Sequence, residues 1–343
     1  QDLKSIINSG KFINSRFVEK FEKNFSKKIN INYGVGYSSA STALSSIVNI
    51  ITDNDEYNEI ILPVFGPLPV SMSLINYKKK IVYADVEPKS FLISNNQILN
   101  KISKKTKLIV PIHLFGNVVD IKKLEKLLPK QIKIIEDSSQ AHGSSIKKIM
   151  AGSMGIASIF SFYPTKNLGA FGDAGMILTN NKKLFYIAQK YRNYGLHKKY
   201  YKSNISGNNF RMDDFQAAVL LNKLKYLDKW NLKRNMLSRE YKIRLNSMPL
   251  EFQKIEEGIF SCFHVFAILV STKLRNKLYN YLNRNGVQAS IYYPSPLPFL
   301  TGEIKEISKI RNNYPNAYKI SKKIICLPIH HNLNIKDIEF ICD

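Results

Sequence analysis

A lysine, an aspartate and a helix start built from small residues are the groups in this chain with the most chemical potential. Lys166 is the only cation of the segment Ser161-Phe162-Tyr163-Pro164-Thr165-Lys166-Asn167, which overlaps the end of a short apolar run. A lysine held there and able to lose its proton is a nucleophile for an aldehyde. Asp137 ends the run Lys133-Ile134-Ile135-Glu136-Asp137 and is followed by Ser138-Ser139-Gln140-Ala141-His142-Gly143. A carboxylate in that place suits a pyridine nitrogen, keeping it protonated and the ring an electron sink. Ser38-Ser39-Ala40-Ser41-Thr42 precedes an apolar helical pattern. Free N–H groups at such a helix start suit a phosphate, and Ala40, Ser41 and the Ser161 hydroxyl are the candidates to hold it. Aldehyde, pyridine and phosphate are the parts of pyridoxal phosphate (PLP), so Lys166 is the candidate Schiff-base lysine. Gly169, Gly172 and Gly175 let the backbone pass close to such a ring. Singly, none of these signals is diagnostic. Lys and Arg make up 51 of 343 residues, and an Asp after an apolar run or a Ser-rich helix start is commonly a cap.

The elements that must position these groups follow from periodicity. Residues 59–63, 81–85, 107–112, 133–137, 158–162 and 175–179 are short, β-branched and bounded by Gly, Pro, Asn or Asp, and read as buried strands. Residues 41–50, 69–76 and 121–127 read as helices between them. Alternation of this kind implies an α/β fold with a mostly parallel sheet covered on both faces. Ligands of such sheets bind beyond the carboxyl ends of the strands, where Asp137, Ser161, Lys166 and His113 fall. A long helix is expected over 213–241. A strand over 262–270, a helix over 274–285 and a turn and strand over 286–293 follow. The expected division is a large domain, 1–229, and a smaller α+β domain, 230–343.

Composition excludes several classes. The formal net charge is +25, which raises nucleic-acid binding. The lysines are spread, however, from Lys27-Lys28 through Lys78 to Lys80, Lys104-Lys105, Lys147-Lys148 and Lys198-Lys199 to Lys322-Lys323. No helix carries a basic stripe, so no nucleic-acid partner is expected, although a positive field favours an anionic substrate. Cys262, Cys326 and Cys342 are odd in number and far apart, and the six histidines show no His-Glu-x-x-His spacing. Neither a disulfide framework nor a metal is expected, and a cytoplasmic location fits. No segment has the apolar length of a membrane span, and the start does not read as a signal peptide. The chain does not begin with Met, so a few preceding residues are expected.

The motifs resemble a known family. Glu136-Asp137-Ser138-Ser139-Gln140-Ala141-His142-Gly143, the run Ser161 through Gly169, and Gly172-Asp173-Ala174-Gly175 are similar to the signature of the DegT/DnrJ/EryC1/StrS aminotransferases. So are Arg192-Asn193-Tyr194-Gly195 and Gly207-Asn208-Asn209-Phe210-Arg211-Met212-Asp213. The resemblance covers about residues 10 to 340. It implies a fold-type I aminotransferase with a seven-stranded, mostly parallel sheet, PLP as cofactor, L-glutamate as amino donor and a nucleotide-linked keto sugar as acceptor. It also implies a homodimer with a shared active site. Residue by residue, it implies Lys166 for the Schiff base, Asp137 for the pyridine nitrogen and Gln140 beside the ring and its 3-hydroxyl. Ala40, Ser41 and Ser161 take the phosphate, which Asn209 reaches from the other subunit. The run after Lys166 is most similar to enzymes that aminate C3 of dTDP-linked 3-keto-6-deoxyhexoses, whose products enter cell-surface polysaccharides.

There are departures and open alternatives. Ala40-Ser41 stands where the family usually has Gly-Thr. Pro67 stands where an aromatic usually covers the ring, so either Phe65 swings in or Pro67 covers that face. Tyr292 stands where a substrate-facing His is common. Tyr163 is either a sugar contact or a packed aromatic. Arg211 binds an anion or pairs with Asp213 or Asp214, and His142 packs under the ring. Amination at C4, a UDP-sugar substrate, or a catalytically silent binding or regulatory protein are the competing readings; dehydration is disfavoured because its enzymes replace the lysine by His.

Overall fold

A computed structural model describes residues 1–52, 58–196, 203 and 205–343; the Lys198-Lys199 pair lies outside the described residues. Seven strands form the main sheet: β1 (Tyr33–Tyr37), β2 (Glu59–Pro63), β3 (Lys80–Ala84), β4 (Thr106–Ile109), β5 (Lys133–Asp137), β6 (Ala157–Ser161) and β7 (Gly175–Thr179). Their order is β1-β7-β6-β5-β4-β2-β3. Every pair is parallel except those made by β7, which runs antiparallel to both neighbours. The carboxyl ends of β1, β2, β5 and β6 therefore share one edge with the start of β7. Five of the six expected strands lie within one residue of the expected bounds at both ends; β4 stops at Ile109 rather than 112.

β1 was not expected as a strand. Its sequence, Tyr-Gly-Val-Gly-Tyr, reads as a turn because glycine is depleted in strands. Two helices precede it, α1 (Asp2–Ser9) and α2 (Arg16–Ile29), and the glycines serve packing against α2. A Cβ on Gly34 would lie 2.4 Å from Ser26 Oγ of α2, and one on Gly36 would crowd Met212 and Glu22. Glu22 accepts the Gly36 N–H at 2.7 Å and pairs with Arg192 at 2.5 Å in the same buried place.

Helices α3 (Ala40–Ile51), α4 (Leu68–Ile75), α5 (Ile121–Leu127) and α6 (Lys182–Tyr191) cover the sheet. The helix expected over 213–241 is two: α7 (Asp214–Leu224) and α8 (Leu227–Arg244). No Gly or Pro marks the break at Lys225-Tyr226. Packing makes it: Leu227 is buried with α2 and the Phe160 and Phe162 side chains, whereas Leu237 and Tyr241 of the same helix join a second core. That second core surrounds a three-stranded sheet of β8 (Glu251–Phe252), β9 (Phe266–Leu269) and β10 (Ile324–Leu327), with helix α9 (Thr272–Arg284). The strand expected over 262–270 is thus only its last part. Residues before Phe266 give their hydrogen bonds to loops instead; the Cys262 N–H goes to Ser144 Oγ at 3.0 Å. Residues 286–293 form no strand, only one bridge between Ser290 and Cys326.

Asp214 pins the start of α2 to α7. Its carboxylate, fully buried, accepts from the Ser15 N–H and hydroxyl and from the Phe17 and Val18 N–H groups. The Phe17 and Val18 N–H groups are orphan donors of the first turn of α2. Asp214→Ala is expected to cost about 3 kcal/mol in urea unfolding, because buried donors lose a charged acceptor. The exposed neighbour variant, Asp213→Ala, is expected to stay within about 0.5 kcal/mol.

Candidate active site

The shared strand edge holds a cavity of about 380 Å³. Ser39, Ala40 and Ser41 reach it from the start of α3, and Asp137 and Ser139 from the end of β5. Ser161 and Lys166 reach it from β6 and its loop, and Pro67 and Val70 from the loop and helix after β2. Local structure places each of them. Ser39 caps α3: its hydroxyl accepts the Thr42 N–H at 3.1 Å while Thr42 Oγ1 accepts the Ser39 N–H at 3.2 Å. This reciprocal pair turns the chain at the cavity and leaves other first-turn N–H groups of α3 facing it. Gly175 lets β7 lie against that start, since a Cβ there would be 2.3 Å from the Ser39 carbonyl carbon and 2.4 Å from the Ala40 nitrogen.

Alternation along β6 sends Phe160 and Phe162 to one face and Ile159 and Ser161 to the other. The two phenylalanines meet Phe25 of α2 edge to face at 4.9 and 5.1 Å. His142 lies in that aromatic group, 5.4 Å from the Phe160 ring and away from the cavity wall. Burial first, and the Lys166 charge second, push His142 down to about 3, so it is neutral. Beyond β6 the Lys166 N–H donates to the Tyr163 carbonyl at 2.9 Å and the Ala170 N–H to Phe162 at 2.8 Å, closing the lysine loop.

Asp137 is withdrawn from water and Lys166 is half-buried at the cavity. Asp137 is 1% exposed. Its Oδ1 accepts the Ser139 N–H at 2.9 Å, whereas buried Oδ2 has no partner. Burial raises its carboxyl above the usual range, opposed by Ser139, Lys166 and His113. Burial likewise pulls the Lys166 amine down to about 8, against the Asp137 charge that holds it up. Beneath them, Glu136 accepts from the Gly152, Met154 and Gly155 N–H groups at 2.7 to 2.8 Å and meets His113 Nε2 at 2.9 Å. His113 Nδ1 accepts from the Val119 N–H, so His113 is built into the core beside the site.

The structure brings together Ala40, Ser41, Asp137, Ser161, Lys166 and Tyr163, which is half-exposed at the mouth. It does not bring four other expected residues into the wall of this single chain. Gln140 is buried with its amide spent: Oε1 accepts the Phe115 N–H at 2.8 Å and Nε2 donates to the Tyr293 hydroxyl at 3.0 Å. Asn209 is exposed. Arg211 pairs with neither aspartate; it donates to Asn193 Oδ1 at 3.0 Å and lies over the Tyr194 ring. Tyr292 is exposed beside Tyr293. Phe65 does not swing in, being packed edge-on to Tyr293 at 5.8 Å, and Pro67 forms the wall. Ser39 and Ser139 were missed; the spacing Ser39-x-x-Thr42 was the available signal for the first.

These features fit PLP. An unpartnered buried carboxyl oxygen is matched by a protonated ring nitrogen, a desolvated amine by an aldehyde, and the uncapped N–H groups at the start of α3 by a phosphate. Among the described residues no cluster has the makings of a metal site, and no helix is long and apolar enough to cross a membrane.

Comparison with known proteins points the same way. The DegT/DnrJ/EryC1/StrS aminotransferase family profile matches residues 1–343. A dTDP-3-amino-3,6-dideoxy-alpha-D-galactopyranose transaminase of Aneurinibacillus thermoaerophilus is 30% identical, over 100% of this chain and 93% of its own. A "pleiotropic regulatory protein" of Geobacillus stearothermophilus is 28% identical, over 99% and 91%. The crystal structure of S. venezuelae DesV in complex with a ketimine intermediate superposes with a TM-score of 0.92 at 26% identity, covering 100% of this chain and 91% of that one.

The lowered amine gives a direct check. In cofactor-free protein, labelling of Lys166 by trinitrobenzenesulfonate, read by peptide mass spectrometry, is expected to rise with pH to a midpoint near 8. An ordinary lysine would show about 10.4.

Proposed function

This chain belongs to the DegT/DnrJ/EryC1/StrS aminotransferase family, and from that premise we propose that it transfers the amino group of L-glutamate to C3 of a dTDP-linked 3-keto-6-deoxyhexose. The observation that carries the reading is the convergence of Lys166, Asp137 and the α3 start on one cavity. The name of the 30% identical relative supports the carbon and the nucleotide.

When bound, PLP supplies an aldehyde to receive the amine and an electron sink to stabilise the carbanion. The chain's residues do the rest. Lys166 Nζ, neutral in part at pH 7 to 8, would hold the cofactor through its aldehyde. Freed by the donor amine, it would take the proton from the donor's Cα and, in the second half of the reaction, give a proton to C3 of the sugar. Asp137 Oδ2 accepts the ring N–H. The Ala40 and Ser41 N–H groups, with the Ser41 and Ser161 hydroxyls, hold the phosphate. Pro67 and Val70 bound the cavity with apolar surface, and Tyr163 and Tyr292 meet the sugar. Asn209 completes the phosphate site of a second copy, so that the enzyme works as a homodimer. Gln140 acts at one remove, bracing Tyr293.

A visible lysine-bound cofactor band that gives way to the pyridoxamine phosphate spectrum on adding L-glutamate is the expected result with PLP; a band that glutamate leaves unchanged refutes transamination and favours a regulatory role like that named for the Geobacillus relative. Lys166→Ala is expected to lower turnover by about 10²- to 10⁴-fold or more. Asn209→Ala is expected to raise the PLP Kd about tenfold, as a charge-assisted bond is lost. Parallel assays of dTDP- and UDP-linked 3-keto and 4-keto sugars are expected to favour the dTDP 3-keto substrate.

A further inference from the structure

The residue after Lys166 ties the lysine loop to the smaller sheet. Asn167 is 3% exposed. Its Nδ2 donates to Asn231 Oδ1 of α8 at 2.9 Å and to the Cys262 carbonyl at 2.8 Å. Its Oδ1 meets His264 Nδ1 at 3.2 Å. Asn231 in turn donates to the His142 carbonyl at 2.7 Å. Both ends of the Asn167 amide are thus assigned, because a flipped amide would set its oxygen against two acceptors, Asn231 Oδ1 and the Cys262 carbonyl.

His264 is suited to be a fixed donor. Burial lowers it well below an ordinary histidine, and the facing Lys166, Arg234 and His142 add to this. Arg234 is 5% exposed and bonded to carbonyls, Phe263 at 3.0 Å and Ile329 at 2.5 Å, rather than to a carboxylate. Asp137 and Cys262 complete the charged and titratable groups around Lys166. A neutral ring has one proton, and an acceptor at Asn167 Oδ1 puts it on Nδ1.

We infer that His264 and Asn167 are positioning residues that hold the Lys166 amine in its place at the cavity by clamping the loop to the segment leading into β9. The inference rests on Lys166 as the reactive lysine, and that reading fails separately, if Lys166→Ala keeps the cofactor band and turnover. Backbone bonds within the loop run from Lys166 to Tyr163, from Ala170 to Phe162 and from Phe162 to Ala174; none of them ties it to the smaller sheet, and the clamp does so one residue from the lysine.

The test is site-resolved trinitrobenzenesulfonate labelling of Lys166 against pH in cofactor-free full chain, paired with first-turnover kinetics of the holoenzyme with L-glutamate. His264→Ala and Asn167→Ala admit water beside the amine, and each is expected to raise the midpoint by about half a pH unit or more. The first-turnover rate is expected to fall about tenfold while glutamate affinity stays within about twofold. His264→Asn, which keeps a donor at the place of Nδ1, is expected to retain both wild-type values. Unchanged midpoints in both alanine variants overturn the inference. So does an equal shift in His264→Asn, or failure of both alanine variants to fold while His264→Asn folds, since each assigns the pair to the fold alone.

Discussion

Asp137 and Lys166 are a carboxyl and an amine whose charged forms the fold disfavours without pairing one to the other. One oxygen of Asp137 is buried with no donor, and the amine is pulled down to about 8. Unpaired buried polar groups are costly. Such an arrangement makes sense when a ligand supplies the missing partners, and the ring nitrogen and aldehyde of PLP are those partners. Much of the surrounding structure holds this unfavourable pair in place. β5 and β6 run parallel and adjacent, so that their carboxyl ends bring the two groups to one edge. Glu136, next to Asp137, gathers three N–H groups and His113 on the far side of the strand.

Two devices build the rest of the site at short range. The Ser39–Thr42 box starts α3 at the cavity, and Gly175 lets the strand beside it come within a distance that no side chain would permit. On the opposite face the aromatic group of Phe25, Phe160 and Phe162 holds β6 in register, which fixes where Ser161 points. The smaller sheet reaches the site through Asn167 and His264 rather than through the cavity wall.

Much of this was legible in the sequence because apolar strands covered on both faces are unambiguous. Residues 59–63, 133–137 and 175–179 match their strands at both ends. The polar residues at strand ends then place Asp137 and Lys166 on one edge. What could not be read depended on tertiary contact. The glycines of β1 look like a turn until α2 lies on them. The break between α7 and α8 has no local breaker and comes from Leu227 entering one core and Leu237 another. Gln140 lies in the right motif, yet its amide is spent on Phe115 and Tyr293. His264, a lone histidine in an apolar run, carries no signal of its own.

The claim on which the account turns is that Lys166, and no other lysine, bears the cofactor. Borohydride reduction of PLP-loaded protein, followed by digestion and peptide mass spectrometry, tests it most directly. The account predicts one phosphopyridoxyl group per chain, on the peptide containing Lys166. A label on another lysine, or none at all, would contradict it.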